Sequence, residues 1–316
     1  MNKQPLFQWE NIRGNFEYKN TSLLLGKEFS TVGENKKIIN EILAEQSNPP
    51  NFKTRDELDQ NIQQTLIQAV RDFHISQEVI PINVLNTVKE EILKYKNLFY
   101  TGYDLLVYWS LMSDEDTTNF RDFFIKSEKK SEENPIFDKT FAHKDDRLRV
   151  FYIHGALHLY SQGEKIRKIK YNKAIAENIL NKFDKLCKEP DIKPLCIVEG
   201  TSTYKLNFIE NSEYLKFAYD ELTQNTVSAN KLVVLANPLN FDKNLVDKTP
   251  HFNQHLLDAI VKSNPQQVAI SIVNDKYVNQ QIKYWEGIIE KNKIQFFEEE
   301  FHPLCSPNIR KGEYSN

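Results

Sequence analysis

Residues 22–30 read SLLLGKEFS, a short apolar run that ends at a glycine turn. An apolar run without alternation is typical of a strand buried on both faces, as in a parallel sheet. Similar runs recur along the chain, separated by longer segments of helical period, so the sequence predicts an α/β fold with a Rossmann-like parallel sheet. The predicted strands are Ser22–Leu25, Asn97–Thr101, Arg149–Ile153, Leu195–Val198, Lys231–Leu235, Val268–Val273 and Ile294–Phe297.

Composition narrows the class of protein. The chain has 316 residues, 40% hydrophobic and 27% charged, and 41 Lys+Arg against 44 Asp+Glu give a net charge of −3. This balance provides no electrostatic drive toward nucleic acid or a membrane surface. Three cysteines without a CxxC pair do not suggest a disulfide framework or a structural zinc, and no apolar run is long enough to span a bilayer. We expect a single cytoplasmic α/β domain over residues 1–316, without a metal.

Two segments interrupt the predicted sheet. Residues 34–96 read as a helical insertion, with helices at Arg55–Phe73 and, after Pro81, at Ile82–Tyr95. Residues 113–147 turn polar and read as a surface excursion with one short strand at Phe120–Ile125. Further helices are predicted at Asn172–Cys187 and Lys205–Leu222.

Arg149–Lys173 is predicted to form a β-hairpin with its turn at Ser161–Glu164. Its second arm carries Lys165, Arg167, Lys168 and Lys170. Lysines of this kind protect an edge strand, and the alternative is an anion site.

Ligands of open parallel sheets bind at the carboxyl ends of the strands. Five turns follow predicted strands, and four of them contain glycine although the chain has only nine. Because glycine lets the backbone approach a ligand closely, we expect a small polar ligand there. The turns are Gly26–Ser30, Thr101–Asp104, His154–Gly155, Glu199–Ser202 and Ala236–Leu239.

Four stretches carry a family resemblance: LLLGKEFS (23–30), YTGYDLLVYWSL (100–111), FYIHGALHLY (151–160) and VEGTSTYKLNFIENSEYL (198–215). In this order they resemble the landmarks of bacterial sirtuin-like proteins, within a branch that keeps an HGALHL hairpin and a GTS-x-x-K turn. The resemblance implies a Rossmann-type fold that binds NAD. It also implies kinship with NAD hydrolases of anti-phage defence, whereas deacylating relatives commonly carry a Cys-rich zinc module that is missing here.

The resemblance also implies roles for individual residues. His154 would be the base near the ribose hydroxyls, and Asp104 would bind ribose or water. The residues implied to contact NAD are Gly26, Lys27, Phe29, Ser30, Thr101, Gly102, Gly200, Thr201 and Ser202.

The chain departs from the family pattern in three turns. Lys27 and Glu28 replace Asn-Gly, Gly102 replaces the catalytic Asn, and Ala236–Leu239 replaces a Gly-x-Ser-type loop. Loss of one catalytic polar group costs about 3–4 kcal/mol in barrier. We therefore expect binding of NAD or ADP-ribose with weak or lost hydrolysis, and expect that Asn at position 102 together with Gly at position 28 would raise turnover.

Other interpretations remain open. The chain could be a pseudoenzyme scaffold that binds a protein partner or forms a homo-oligomer, or it could bind another phosphate-bearing ligand through Lys27. His154 also fits a packed turn, while Asp104, Thr201 and Ser202 fit helix caps. His251 and His255 share a helix face, but Phe252 stands where zinc proteases need a Glu, so no metal is expected.

Overall fold

The computed structural model describes residues 6–26, 29, 77–113, 118–126, 134–141, 146–170, 179–197, 201–224, 230–236, 253–306 and 309. The predicted helix Arg55–Phe73, the beginning of the predicted helix Asn172–Cys187, and Lys27, Glu28, Ser30, Gly200 and His251 lie outside these residues.

Seven strands form a sheet in the order β12-β11-β10-β1-β2-β6-β3, and every neighbouring pair is parallel. All residues of β1 and β2 are buried, which explains their apolar runs Leu23–Leu25 and Leu98–Tyr100. The buried polar residues at the strand starts pair with each other, because Asn97 donates to Ser22 Oγ at 2.7 Å. The strands are β1 (Thr21–Leu25), β2 (Asn97–Tyr100), β3 (Phe120–Arg121), β6 (Leu148–Tyr152), β10 (Lys231–Leu235), β11 (Gln267–Ile272) and β12 (Ile294–Glu298). The predicted α/β fold with a parallel sheet is confirmed.

A second, antiparallel sheet has five strands in the order β4-β5-β8-β7-β9. Its strands are β4 (Phe124–Ile125), β5 (Ile136–Phe137), β7 (Gly155–Gln162), β8 (Lys165–Lys168) and β9 (Ile192–Cys196). Strands β7 and β8 form the predicted hairpin. Its first arm begins at Gly155 and not at Arg149, because Leu148–Tyr152 belongs to the parallel sheet.

The described α-helices cover both faces of the parallel sheet. The helix predicted after Pro81 is found at Ile82–Ile92, and the fixed φ of proline suits the residue before a helix. The helices are α1 (Trp9–Ile12), α2 (Ile82–Ile92), α3 (Leu106–Leu111), α4 (Ile179–Leu186), α5 (Ser202–Glu210), α6 (Glu213–Thr223), α7 (Gln254–Ser263) and α8 (Val278–Glu286). None of the described helices is long and apolar enough to cross a membrane.

The core lies on both faces of the parallel sheet, because side chains alternate along each strand. Leu23 and Leu25 of β1 face a cluster that includes α2, α3 and the antiparallel sheet. Leu24 faces the other cluster, which includes α7 and α8. The antiparallel sheet thus shares its core with one face of the parallel sheet.

Three sequence-based predictions of secondary structure are wrong in detail. The strand expected at Leu195–Val198 is β9, which pairs antiparallel with β7 in the second sheet. The single helix expected at Lys205–Leu222 is two helices, because Ser212 accepts a hydrogen bond from the Leu215 N–H and starts α6 anew. The single strand expected at Phe120–Ile125 is split between the two sheets as β3 and β4.

The lysines of the hairpin do not protect an edge strand. Strand β8 lies between β5 and β7, in the interior of the sheet. Lys168 is buried, forms an ion pair with Asp122, and places its ammonium group over the rings of Tyr108 and Phe124. Lys165 is exposed. Arg167 is also buried and donates to the Asn134 carbonyl at 3.2 Å, whereas Lys170 is exposed.

Candidate functional site

The parallel sheet has its topological switch point between β1 and β10. From β1 the chain continues outward through β2 and β6, and from β10 it continues the other way through β11 and β12. The crevice outside the carboxyl ends of such a strand pair is where open α/β sheets bind ligands. Gly26 directly follows β1 and donates its N–H to the Leu235 carbonyl of β10 at 2.8 Å.

His154 lies at the carboxyl end of β6, where the chain passes from one sheet to the other. Its carbonyl accepts the Ile197 N–H at 2.7 Å, so it is tied to the chain that follows β9. The next residue, Gly155, has φ +73°, and a β-carbon there would lie 2.0 Å from the Leu195 carbonyl oxygen. Glycine is therefore required for the crossing that positions His154.

A chain of side-chain hydrogen bonds starts at His154. Its Nε2 lies 2.9 Å from Nε2 of His255, and Nδ1 of His255 lies 3.0 Å from Oγ of Ser202. The backbone N–H of His255 also donates to Ser202 Oγ at 2.8 Å. His255 is in the first turn of α7 and Ser202 begins α5, so the two helix N-termini meet beside the end of β6.

Burial keeps His255 neutral. Desolvation, with the positive charge of Lys205 as a second cause, lowers the pKa of His255 to about 3. Lys205 itself is buried and donates to Asn253 Oδ1 at 2.7 Å, and the Tyr219 hydroxyl donates to the His255 carbonyl at 2.8 Å. These contacts attach α7 to α5 and α6 and fix the position of the His255 ring.

Asp104 and Tyr100 form a second polar group on this edge of the sheet. The Tyr100 hydroxyl donates to Asp104 Oδ2 at 2.6 Å, and Asp104 Oδ1 accepts the Leu106 N–H at 3.0 Å. Burial and the Asp104 carboxylate raise the pKa of Tyr100 well above its ordinary value. Asp104 thus accepts the first N–H of α3 from one residue before the N-cap position, which Leu105 occupies without a side-chain cap hydrogen bond.

Three further residues predicted at the site have structural contacts. Phe29 is fully buried and packs edge-on against Tyr100, with ring centroids 5.8 Å apart. Thr101 donates its N–H to the Leu25 carbonyl at 3.0 Å, and Thr201 caps α5 by accepting the Tyr204 N–H at 3.2 Å. Phe29 therefore belongs to the core beneath the edge.

Gly102 has no room for a side chain. A β-carbon at this position would lie 2.1 Å from the Tyr100 hydroxyl oxygen and 2.3 Å from Cζ of the same ring. Tyr100 thus occupies the space into which a side chain at residue 102 would project.

His255 is the residue whose contacts the sequence did not reveal. In the sequence, His255 stands out only for its four-residue spacing from His251, a pair for which no metal is expected. Its contact with His154 joins residues 101 positions apart, and only the topology brings them together. Among the residues that the structure describes, no group of three or more His, Cys, Asp or Glu could hold a metal ion.

The strand order, with its switch point and a polar array at the carboxyl edge, defines an α/β protein of the doubly wound class. The family model for a domain of unknown function, DUF4917, matches residues 39–306, and the chain belongs to this family. A search of the curated proteins finds no match.

Among solved structures, one described as "Structural Basis for the Mechanism and Regulation of Sir2 Enzymes" is similar to this chain with a TM-score of 0.41 and 10% identity. The match covers 96% of this chain and 97% of that chain. The fold class stated above rests on the strand order itself.

Proposed function

We propose that this protein binds NAD or ADP-ribose at the carboxyl edge of its parallel sheet, and that it hydrolyses NAD weakly or not at all. The observation that carries the proposal is the hydrogen-bonded array of His154, His255 and Ser202 at the end of β6. Strand β6 is two strands from β1, a separation of about 10 Å, so the array lies within a dinucleotide's length of the switch point.

The residues in this region suit the chemistry of such a ligand. Cleavage of a nicotinamide–ribose bond builds positive charge on the ribose. The His154 ring would contact a ribose hydroxyl, and Ser202 offers a second polar group from the start of α5. Gly26 would allow the pyrophosphate to approach the backbone at the end of β1.

Weak catalysis is favoured by the surroundings of Asp104. Each of its two carboxylate oxygens accepts a hydrogen bond from within the protein, one from Tyr100 and one from the backbone of α3. The position that the resemblance assigns to a catalytic Asn is Gly102, and the Tyr100 ring fills the adjoining space. These contacts also support the second candidate, a pseudoenzyme scaffold that binds a protein partner.

Calorimetric titration with NAD and with ADP-ribose, with nicotinamide release followed in the same samples, tests the proposal. We expect saturable binding of both ligands, slow or undetectable release, and loss of binding in His154→Ala. Lys165→Ala, which changes an exposed residue of β8, is the matched control and should bind as the wild type does. Absence of binding at millimolar ligand would reject the nucleotide site and leave the scaffold as the surviving candidate.

A further inference from the structure

We propose that Ser271 and Glu299 are positioning residues for the candidate ligand crevice, because together they hold Ala236 in a left-handed backbone conformation at the switch point. Ala236 directly follows β10, which is one of the two strands at the switch point. The inference deepens the proposed function and rests on it only for the ligand, NAD or ADP-ribose, whose affinity would change. We call Ser271 and Glu299 the brace of Ala236.

Ala236 has an unusual backbone conformation. Its φ is +59°, in the left-handed region that brings the β-carbon of alanine too close to the backbone, and the residue is fully buried. Two other non-glycine residues in the described part of the chain have a positive φ. Asn264 ends α7, where this conformation is common, and Phe123 lies where the chain passes between the two sheets. Ala236 instead lies at the carboxyl edge, and strained residues in such places are often part of a ligand site.

Side chains from the next two strands hold this residue. Its N–H donates to Ser271 Oγ of β11 at 3.1 Å, and the Ser271 hydroxyl donates to Oε2 of Glu299, directly after β12, at 2.7 Å. The backbone pairing of β10 with β11 ends at Val234 and Ile270, so the Ser271 side chain continues the contact beyond it. Ser271 and Glu299 are only 9% and 4% exposed, and hydrogen bonds shielded from water in this way are stronger.

The same contacts reach Gly26, where the pyrophosphate is proposed to approach the backbone. The peptide group between Leu235 and Ala236 is planar and is held on both sides. Its carbonyl oxygen accepts the Gly26 N–H at 2.8 Å, and its N–H donates to Ser271. A rotation of this peptide group would therefore disturb both bonds. Hydrogen bonds thus connect the carboxyl ends of β1, β10, β11 and β12 in one row.

The brace acts on the ligand through the backbone. The N–H of Ala236 is the only donor on its main chain, and it is directed at Ser271. The effect of the brace is therefore to fix the backbone angles of Ala236, and with them the direction in which the chain leaves β10. Without the Ser271 hydroxyl, Ala236 would relax toward negative φ, and the carbonyl that holds Gly26 would turn with it.

Hydrogen exchange of the Ala236 amide tests the brace without nucleotide. In protein labelled with 15N-alanine, the Ala236 signal is identified by its loss in Ala236→Gly. We expect Ser271→Ala to accelerate the exchange of this amide about tenfold relative to the buried Ala218 of α6, which corresponds to the loss of one hydrogen bond. Ser263→Ala removes another buried serine, whose hydroxyl donates to the Ile260 carbonyl, and it should leave the ratio of the two rates unchanged.

Two variants of Glu299 extend the test to the second member of the brace. Glu299→Gln keeps an oxygen that can accept the Ser271 hydroxyl, so the Ala236 amide should still exchange slowly. Glu299→Ala removes that acceptor and should accelerate the exchange, as Ser271→Ala does. The comparison of the two Glu299 variants gives the answer if Ser271→Ala does not fold.

The affinity for NAD and for ADP-ribose separates a positioning role from a loss of stability, because a loss of stability alone leaves the affinity of the folded protein unchanged. Ser271→Ala should weaken binding about tenfold. Adding Ala236→Gly should restore part of that affinity, because glycine adopts the left-handed conformation without strain.

Three results would overturn the proposal. The first is an Ala236 exchange rate, relative to Ala218, that is unchanged in Ser271→Ala and in Glu299→Ala. The second is a wild-type affinity for NAD in a Ser271→Ala protein whose Ala236 amide exchanges faster, and the third is a loss of affinity that Ala236→Gly leaves in full. In the last two cases the nucleotide site stands and the positioning role falls. If Ala236 responds as expected but the wild type binds neither nucleotide, the brace stands and the proposed function falls.

Discussion

The hydroxyl oxygen of Tyr100 lies 2.1 Å from the point at which residue 102 would carry a β-carbon. Glycine at position 102 is therefore a steric requirement of the Tyr100–Asp104 contact. This relationship reverses the expectation that Asn at this position would raise turnover, because the asparagine side chain and the tyrosine ring would compete for one space.

We predict that Gly102→Ala destabilises the fold by about 1–3 kcal/mol, the usual cost of forcing extra atoms into a packed core. Gly102→Asn should cost more and should not raise NAD turnover. Urea unfolding measures the change. Gly14→Ala is the control, because a β-carbon there meets nothing within 4 Å. Equal stability of the two alanine variants would contradict the packing at Tyr100.

The crossing between the two sheets gives a second prediction, in which two glycines with positive φ are compared. Gly155→Ala should destabilise by several kcal/mol, because backbone strain of about 1–2 kcal/mol adds to a contact of 2.0 Å with the Leu195 carbonyl oxygen. Gly163, in the turn between β7 and β8, has φ +59° and open space around it, so Gly163→Ala should show the strain alone. Thermal and urea unfolding of the two variants measures the difference. A larger effect at Gly163 would contradict the close contact between Gly155 and the Leu195 carbonyl oxygen.

The buried ion pair of the second sheet supplies a third prediction. Lys168→Met keeps the unbranched apolar stem of the side chain but leaves the buried Asp122 carboxylate without the Lys168 ammonium. Breaking a buried pair in this way costs about 3–5 kcal/mol. Lys165→Met changes an exposed lysine of the same strand and should alter the free energy of unfolding by less than about 0.5 kcal/mol. If both variants unfold at the same urea concentration, Lys168 contributes no more than a surface lysine does.

Acid should destabilise the protein before its carboxylates titrate. Burial lowers the pKa of His255 and of His302 to about 3, and it lowers the pKa of His158 well below its ordinary value. Below about pH 6.5 the unfolded chain takes up protons that these folded-state histidines do not. Their stabilisation is therefore complete above that pH and is lost as the pH falls toward 3, by about 1.4 kcal/mol per pH unit for each histidine.

The variant His302→Gln removes one of these three histidines and so measures its share of the pH dependence. In the wild type, His302 Nε2 lies 3.1 Å from the Tyr95 hydroxyl and Nδ1 accepts the Leu304 N–H at 3.2 Å. The difference in unfolding free energy between the wild type and the variant should shrink as the pH falls from 7.5 to 4.5. A constant difference over that range would mean that His302 titrates alike in the folded and unfolded states.

The longer strands of the parallel sheet could be predicted because both of their faces are buried. Burial on two sides favours consecutive apolar residues, and Lys231–Leu235 is found with the bounds that the sequence predicted. The two-residue strands β3, β4 and β5 are too short to show any period. The partner of β9 could not be predicted either, because whether a strand joins one sheet or the other depends on the Gly155 crossing.

In the candidate site, too, the features that are local in the sequence could be predicted and the contacts between distant segments could not. A strand end followed by His-Gly could be read directly, so the sequence located His154. The contact of Asp104 with the start of α3 is also local, since a carboxylate two residues before an apolar helix can accept the first helical N–H, although Leu105 and not Asp104 is the N-cap. The partner of His154 could not be read, because no local pattern links the end of β6 to the first turn of α7. The contact between the Tyr100 ring and Gly102 could not be predicted either, because it depends on the direction in which a buried side chain leaves the strand.

The position of β1 at the centre of the sheet affects how the chain folds during synthesis. One side of β1 pairs with β2, but its other side pairs with β10, residue for residue from 21–25 to 231–235. At about 5–20 residues per second, a separation of roughly 200 residues delays β10 by on the order of ten seconds or more after β1 leaves the ribosome. During that interval β1, which ends just before Gly26, presents an open edge of backbone donors and acceptors. A nascent chain stalled before residue 231 is therefore the form of this protein most prone to pair with another copy.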